Sequence, residues 1–185
     1  MTGFILALVG VLLAGLGGRD QMTVAALSRN LGSRPGVLLV AIGVCCVSAA
    51  LAGWAAMLIA PMMTAPARVF LAAIALGFAG GEALVLSPGR DPLEPTLSLG
   101  ALAAVLLAHQ LTDAARFLIF GIALAADAQI PATLGGGLAG VLLLAAAWGE
   151  SEWFVWQQLR WVRRALGLVM LLFALWLGLR VVGYA

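Results

Sequence analysis

Six apolar runs, each about as long as a membrane-spanning helix, take up most of this 185-residue chain. A helix of about 20 apolar residues crosses the hydrocarbon core of a bilayer, which is about 30 Å thick. The chain is 64% hydrophobic and only 10% charged, whereas roughly a quarter of the residues in a soluble domain are charged. The sequence therefore predicts an all-α integral membrane protein with six transmembrane helices and no soluble catalytic domain.

Proline, glycine and charged residues mark the ends of these runs. The predicted spans are residues 3–27, 36–60, 68–87, 97–125, 131–149 and 163–183. They form two repeats of three helices, at 1–90 and 96–185, and the second repeat contains an aromatic, interfacial segment at 150–162. Because each repeat has an odd number of spans, the second enters the membrane from the opposite side, as in the inverted repeats of secondary transporters.

The distribution of arginine predicts the orientation of the chain in a bacterial inner membrane. Cytoplasmic loops are enriched in basic residues. Only Arg68 lies after the second or fourth span, whereas the connections after the first, third and fifth spans contain Arg29, Arg34, Arg90, Arg160, Arg163 and Arg164. Both termini are therefore expected on the non-cytoplasmic side. The net charge of +2 does not indicate a nucleic-acid partner; the expected partners are the lipid bilayer and either other membrane proteins or further copies of the chain.

Two polar clusters interrupt the first and fourth spans at corresponding places, each after the tetrapeptide Val-Leu-Leu-Ala at 11–14 or 105–108. An ionisable group at membrane depth costs roughly 2.5 to 3.5 kcal/mol on insertion scales, so such groups usually mark a functional site. The candidate transport-site or ion-pair residues are Arg19, Asp20, Gln21, His109, Gln110, Asp113 and Arg116.

With these two clusters the chain resembles the small cation/proton exchangers of the Gdt-one type (uncharacterised protein family sixteen), which carry the motif Glu-x-Gly-Asp-(Lys/Arg)-(Thr/Ser)-Gln twice. The resemblance extends over nearly the whole chain and includes a final helix that opens with Arg160, Trp161, Val162, Arg163 and Arg164. It implies alternating access between two inverted repeats, with Mn²⁺ or Ca²⁺ exchanged for protons. No resident cofactor is implied beyond this transported cation.

The motifs themselves have changed. In the first copy, Gly15 and Gly18 stand at the two acidic positions, followed by Arg19, Asp20 and Gln21; in the second, Gln110 and Asp113 stand at the acidic positions, followed by Ala114, Ala115 and Arg116. Asp113 is thus the one acidic residue retained and the candidate metal ligand. Since a hard divalent cation takes several oxygen ligands, the expected set of carboxylates is incomplete.

Two alternatives follow for the charged residues of the clusters. Their charges sum to zero, so Arg19, Asp20, Asp113 and Arg116 are predicted to form one or two ion pairs across the pseudo-twofold axis. Asp113 is alternatively a proton-coupled carboxylate, with His109 one helical turn earlier on the same face as its relay partner. Glu82, near the end of the third span, is expected to lie at the headgroup region.

The leading functional hypothesis is a divergent secondary transporter, and the alternative is a non-transporting membrane subunit that keeps the exchanger fold and packs in a larger complex. The first depends on the architecture and the resemblance, and the second on the lost acidic residues. An enzyme is not expected, because the chain has a single histidine and no phosphate-binding loop or H-E-x-x-H motif.

Overall fold

The computed structural model describes residues 1–85, 98–151 and 157–183, without the side chains of 157–159, and the regular structure in these segments is entirely helical. The helices are α1 (Thr2–Gly15), α2 (Arg19–Leu31), α3 (Pro35–Ile59), α4 (Ala65–Val85), α5 (Leu99–Leu111), α6 (Ala114–Ala125), α7 (Gln129–Gly149) and α8 (Gln157–Val182), with a 3-10 turn at Ala60–Met62. The predicted repeat boundary at residues 91–95, and residues 152–156 of the aromatic segment, lie outside the described residues.

Four of these helices are long and apolar enough to cross a membrane: α3 with the 3-10 turn, α4, α7 and the part of α8 from Arg160. Helices α1 and α2 form a pair bent by 62°, and helices α5 and α6 form a pair bent by 52°. The count rises to six spans if each bent pair crosses the membrane once. The fold is thus an all-helical one that is compatible with an integral membrane protein.

The predicted spans 3–27 and 97–125 are wrong in one respect, because each is interrupted at its polar cluster. In the first, Gly17 has a φ of 70°, which glycine adopts without the steric penalty that a Cβ would bring. The amide of Gly18 donates to Gly15 O at 2.9 Å, which closes the last turn of α1. These glycines therefore end one helix and start the next within three residues.

The second break lies at Thr112 and Asp113. The Thr112 hydroxyl lies 2.9 Å from Ala108 O and can donate to it, and such side-chain bonds to the preceding turn favour a bend in a helix. Asp113 then has an extended backbone, with φ −82° and ψ 136°, at the N-cap position of α6. Thr112 and Asp113 thus end one helix and start the next at this break, as Gly17 and Gly18 do at the first.

Helices α4 and α8 cross at a pair of glycines. A Cβ on Gly80 would lie 2.6 Å from Gly167 O, and a Cβ on Gly167 would lie 2.8 Å from Gly80 O. Such distances are too short for any side chain, so these residues let the two backbones touch, as small residues do between membrane helices. This crossing positions α8 beside the first break.

Candidate functional site

A chain of hydrogen bonds between buried side chains connects the two helix breaks. Gln110 Nε2 of α5 donates to Asp20 Oδ2 of α2 at 3.2 Å, and Ser48 Oγ of α3 lies 2.8 Å from Gln110 Oε1. Arg116 Nε of α6 donates to Ser48 Oγ at 2.8 Å. Gln110 is 0% exposed, Ser48 1% and Arg116 5%. The polar clusters that lie about 95 residues apart in the sequence therefore meet in the interior.

The side chain of Gln21 hydrogen-bonds to the backbone of the first break. Its side-chain oxygen accepts from the amide of Gly17 at 3.0 Å, and its Nε2 donates to Gly15 O. The Gln21 backbone amide donates to Asp20 Oδ1 at 2.8 Å. Because the end of a helix leaves backbone groups without intrahelical partners, Gln21 and Asp20 replace the bonds that the break removes.

Arg116 donates to neutral partners rather than to a carboxylate. Besides Ser48, its Nη2 donates to Cys45 Sγ at 3.3 Å. Among the ion pairs of the described residues, none joins Arg116 to Asp20 or Asp113 within 4.0 Å. The predicted direct pairs across the axis are therefore wrong in their partners, because Ser48 and Gln110 lie between the arginine and Asp20.

Arg19 pairs with a carboxylate that lies outside the two polar clusters. Its Nη2 lies 3.8 Å from Glu82 Oε1 of α4. The other oxygen, Glu82 Oε2, accepts from the amide of Ala114 at the start of α6, at 3.0 Å. With 12% of its side chain exposed, Glu82 lies in the protein interior beside the second break. An acidic residue directly after Gly80 and Gly81 in an apolar run was the available signal.

Arg163 of α8 is the second arginine beside Glu82. Its Nη2 lies 3.9 Å from Glu82 Oε1, and 5% of its side chain is exposed. Its Nη1 donates to Gly17 O, in the first break, at 2.7 Å. The sequence predicted that Arg163 lies in a connection, because the last helix was expected to begin at residue 163. Helix α8 begins six residues earlier, at Gln157.

Asp113 lies at the second break, at the N-cap position of α6, and its neighbour Ala114 donates its amide hydrogen to Glu82 Oε2 at 3.0 Å. Three carboxylates and three arginines therefore gather at the breaks, with a formal sum of zero: Asp20, Glu82 and Asp113 with Arg19, Arg116 and Arg163. A balanced set of charges is what a low-dielectric interior requires.

His109 does not stand one turn before Asp113 on a shared helix face, because α5 ends at Leu111. Its Nδ1 is buried and has no hydrogen-bond partner among the described residues. The predicted relay depended on a continuous helix through these positions, and the break at Thr112 removes that geometry.

Two cavities flank the second break. One, of about 500 Å³, lies between α4 and α6 and is lined by Arg19, Gly77, Phe78, Gly81, Glu82, Val85, Thr112, Ala114 and Phe117. The other, of about 310 Å³, lies between α3 and α6 and is lined by Ser48, Leu51, Ala52, Ala55, Ile59, Leu111, Arg116, Phe117 and Phe120. Polar groups of the site thus reach open space on both sides of α6.

Among the described residues, no group of three or more histidine, cysteine, aspartate and glutamate side chains could hold a metal ion. The chain matches no protein-family model, and no curated protein or solved structure is significantly similar to it. The chain's own residues and their geometry are therefore the basis for assigning a function.

Proposed function

We propose that this chain is a divergent secondary transporter of the cation/proton exchanger type, an inner-membrane protein whose two inverted repeats expose the site alternately to the two sides. The observation that carries the proposal is the pair of broken helices, α1–α2 and α5–α6, at corresponding positions of the two halves. In secondary transporters, such discontinuous helices hold the cargo near the bilayer midplane, where their free backbone groups and dipoles interact with ions.

Helix packing supports the internal repeat. Equivalent helices pack on each other, α3 on α7 and α4 on α8. Two further kinds of contact occur in equivalent pairs: α1 packs on α7 as α5 packs on α3, and α2 packs on α7 as α6 packs on α3. This is the pattern that a pseudo-twofold axis between two three-helix repeats produces.

The largest departure from this symmetry supports a transporter held in one of two end states. Helix α4 packs broadly along α6, whereas the equivalent helices α8 and α2 have no comparable contact among the described residues. Alternating access requires the two repeats to differ in conformation and to exchange those conformations. The α4–α8 pair would then rock between α6 on one side and α2 on the other.

The proposed cargo is a small cation, either Mn²⁺ or Ca²⁺ in exchange for protons, and Asp113 is the carboxylate that balances its charge. The test is flux of Mn²⁺, Ca²⁺ and protons in proteoliposomes containing the purified protein. We expect saturable flux of one of these ions and its loss in Asp113→Asn, because the amide keeps the shape of the side chain and removes its charge. Asp127→Asn is the matched control, since Asp127 is 73% exposed and lies outside the site, and it should retain the flux.

A second candidate is the non-transporting membrane subunit. The observation in its favour is that Arg116 is already paired within the protein, since it donates to Ser48 and Cys45 with 5% of its surface exposed. Absence of flux for all three ions, together with co-purification of a defined membrane complex, would support this candidate and contradict transport.

A further inference from the structure

The cavity between α4 and α6 has aromatic walls and room for a small molecule. Phe78 of α4 and Phe117 of α6 line it, and their ring centroids lie 6.4 Å apart. Gly77 and Gly81 line it on α4, and a Cβ on Gly81 would meet nothing within 4 Å. The cavity volume of about 500 Å³ lies within the range of about 300–1,000 Å³ that is usual for small-molecule pockets. The space can therefore hold the apolar body of a small molecule.

Arg19 is the charged donor that this cavity presents to a ligand. Its side chain lines the cavity and is 35% exposed. The nearest carboxylate oxygen, Glu82 Oε1, lies 3.8 Å from Arg19 Nη2, which is beyond the range of a well-formed hydrogen bond. Within the part of the chain that the structure describes, no guanidinium N–H group of Arg19 has a hydrogen-bond partner. Arg19 can therefore donate to a ligand without giving up a hydrogen bond to the protein.

The carboxylates beside Arg19 are turned toward protein groups rather than toward the cavity. Glu82 Oε1 is buried, and Glu82 Oε2 accepts from the amide of Ala114 at 3.0 Å. The carboxylate of Asp20 accepts from the amide of Gln21 at 2.8 Å and from Gln110 Nε2 at 3.2 Å. A ligand in the cavity therefore meets the positive charge of Arg19 without direct access to these negative charges.

We propose that this cavity binds an organic carboxylate with an apolar body. The carboxylate accepts hydrogen bonds from the guanidinium of Arg19, and the apolar body packs against Phe78 and Phe117. Arginine and carboxylate form strong, charge-assisted hydrogen bonds, and the aromatic rings add apolar contact area. An organic cation of the same shape does not fit, because it would place its charge against Arg19 while Glu82 Oε1 is out of reach.

This site goes beyond the proposed ion exchange, because its ligand is neither a metal ion nor a proton. The ligand contacts α4 and α6 at the same time. In the proposed transport cycle α4 leaves α6, which would separate Phe78 from Phe117 and open the cavity. A ligand that binds one conformation more tightly than another shifts the population toward the first, so the carboxylate would favour the present arrangement of the two helices.

The test is isothermal titration calorimetry of the purified protein in detergent micelles with 2-naphthoate. A titration into empty micelles measures the partition of the probe into detergent. The matched probe is 2-naphthylmethylamine, which has the same ring system and a positive charge. We expect saturable binding of 2-naphthoate to the protein and no saturable binding of the amine.

Two variants remove the two halves of the site separately. Arg19→Gln removes the charge and should weaken the binding of 2-naphthoate by about tenfold or more, because a hydrogen bond between charged groups contributes at least that factor. Gly81→Leu fills the open space on α4 and should weaken binding as well, with Arg19 unchanged. Gly43→Leu is the matched control, since Gly43 of α3 is exposed and its Cβ would also meet nothing within 4 Å; it should retain the affinity. If one of the first two variants does not fold, the other tests the site alone.

Equal binding of the amine, or no saturable binding of 2-naphthoate, would overturn the proposal. The same holds for unchanged affinity in Arg19→Gln or Gly81→Leu, which would mean that the probe binds elsewhere. Loss of 2-naphthoate binding in micelles that contain phosphatidylglycerol would assign the cavity to an anionic lipid instead. Calorimetry requires no ion gradient, so binding to a protein without flux of any ion would leave the carboxylate site in place and reject only the proposed transport.

Discussion

Replacing Ser48 by alanine tests the hydrogen-bond chain between the two breaks most directly. The Ser48 hydroxyl accepts from Arg116 Nε and faces Gln110 Oε1, both at 2.8 Å. All three side chains are almost completely buried. Ser48→Ala removes one oxygen atom and leaves a charged donor and a neutral acceptor without their partner.

The expected cost follows from these two orphaned groups. A buried neutral group without a partner costs about 1–3 kcal/mol, and a charged group costs more. Some of this cost is recovered by relaxation, so we expect Ser48→Ala to lower the free energy of unfolding by about 2–5 kcal/mol. The measurement is reversible unfolding in mixed micelles, followed by circular dichroism and tryptophan fluorescence.

Ser28→Ala is the matched control. Ser28 is also buried, but its hydroxyl donates to a backbone carbonyl, Trp148 O, at 2.7 Å, and no charged group depends on it. Its loss should cost about 1 kcal/mol. A double-mutant cycle between Ser48→Ala and Gln110→Leu should further show a coupling energy of at least about 0.5 kcal/mol. Equal costs for the two serines, or additive effects in the cycle, would refute the network.

Two further predictions concern the α4–α8 crossing and the surface. Gly80→Ala should lower the free energy of unfolding by about 1–3 kcal/mol, because its Cβ would lie 2.6 Å from the backbone oxygen of Gly167. Gly81→Ala should leave this free energy unchanged, because its Cβ would meet nothing within 4 Å. Equal costs for the two variants would contradict the close crossing of α4 and α8. Asp127 forms an exposed ion pair with Arg68, so Asp127→Asn should change the free energy of unfolding by less than about 1 kcal/mol. Arg68→Ala should lower it more, because Arg68 also donates to two backbone carbonyls. A larger effect for Asp127 than for Arg68 would contradict this reasoning.

The positions of the helices could largely be predicted from the sequence. The apolar runs at 36–60 and 131–149 correspond to α3 and α7 within two residues at each end. Span length depends on local hydrophobicity, because lipid requires about 20 apolar residues whatever the neighbouring helices are. The helix breaks fall at the two polar clusters, whereas the sequence predicted that the helices would continue through them.

The candidate site was only partly predictable. Asp20, Gln21, Gln110 and Arg116 do gather at the breaks, as the duplicated clusters indicated. Three other participants were missed, Ser48, Glu82 and Arg163. Ser48 resembles an ordinary small packing residue, and Arg163 an orientation signal, until their distant partners are known: Ser48 meets a residue 62 positions away, and Arg163 one 146 positions away.

The sequence by itself determined the all-helical class of fold, the approximate helices and the two places where polar residues interrupt them, because these depend on local hydrophobicity and on the residues that break it. Only the tertiary structure decided which charges meet. At the two breaks, Asp20 of α2 meets Gln110 of α5 and Arg116 of α6 meets Ser48 of α3. The glycine crossing brings Arg163 to Glu82 and Gly17. Pairing in a low-dielectric interior depends on distances of a few ångströms between remote segments, and such distances follow from packing rather than from composition.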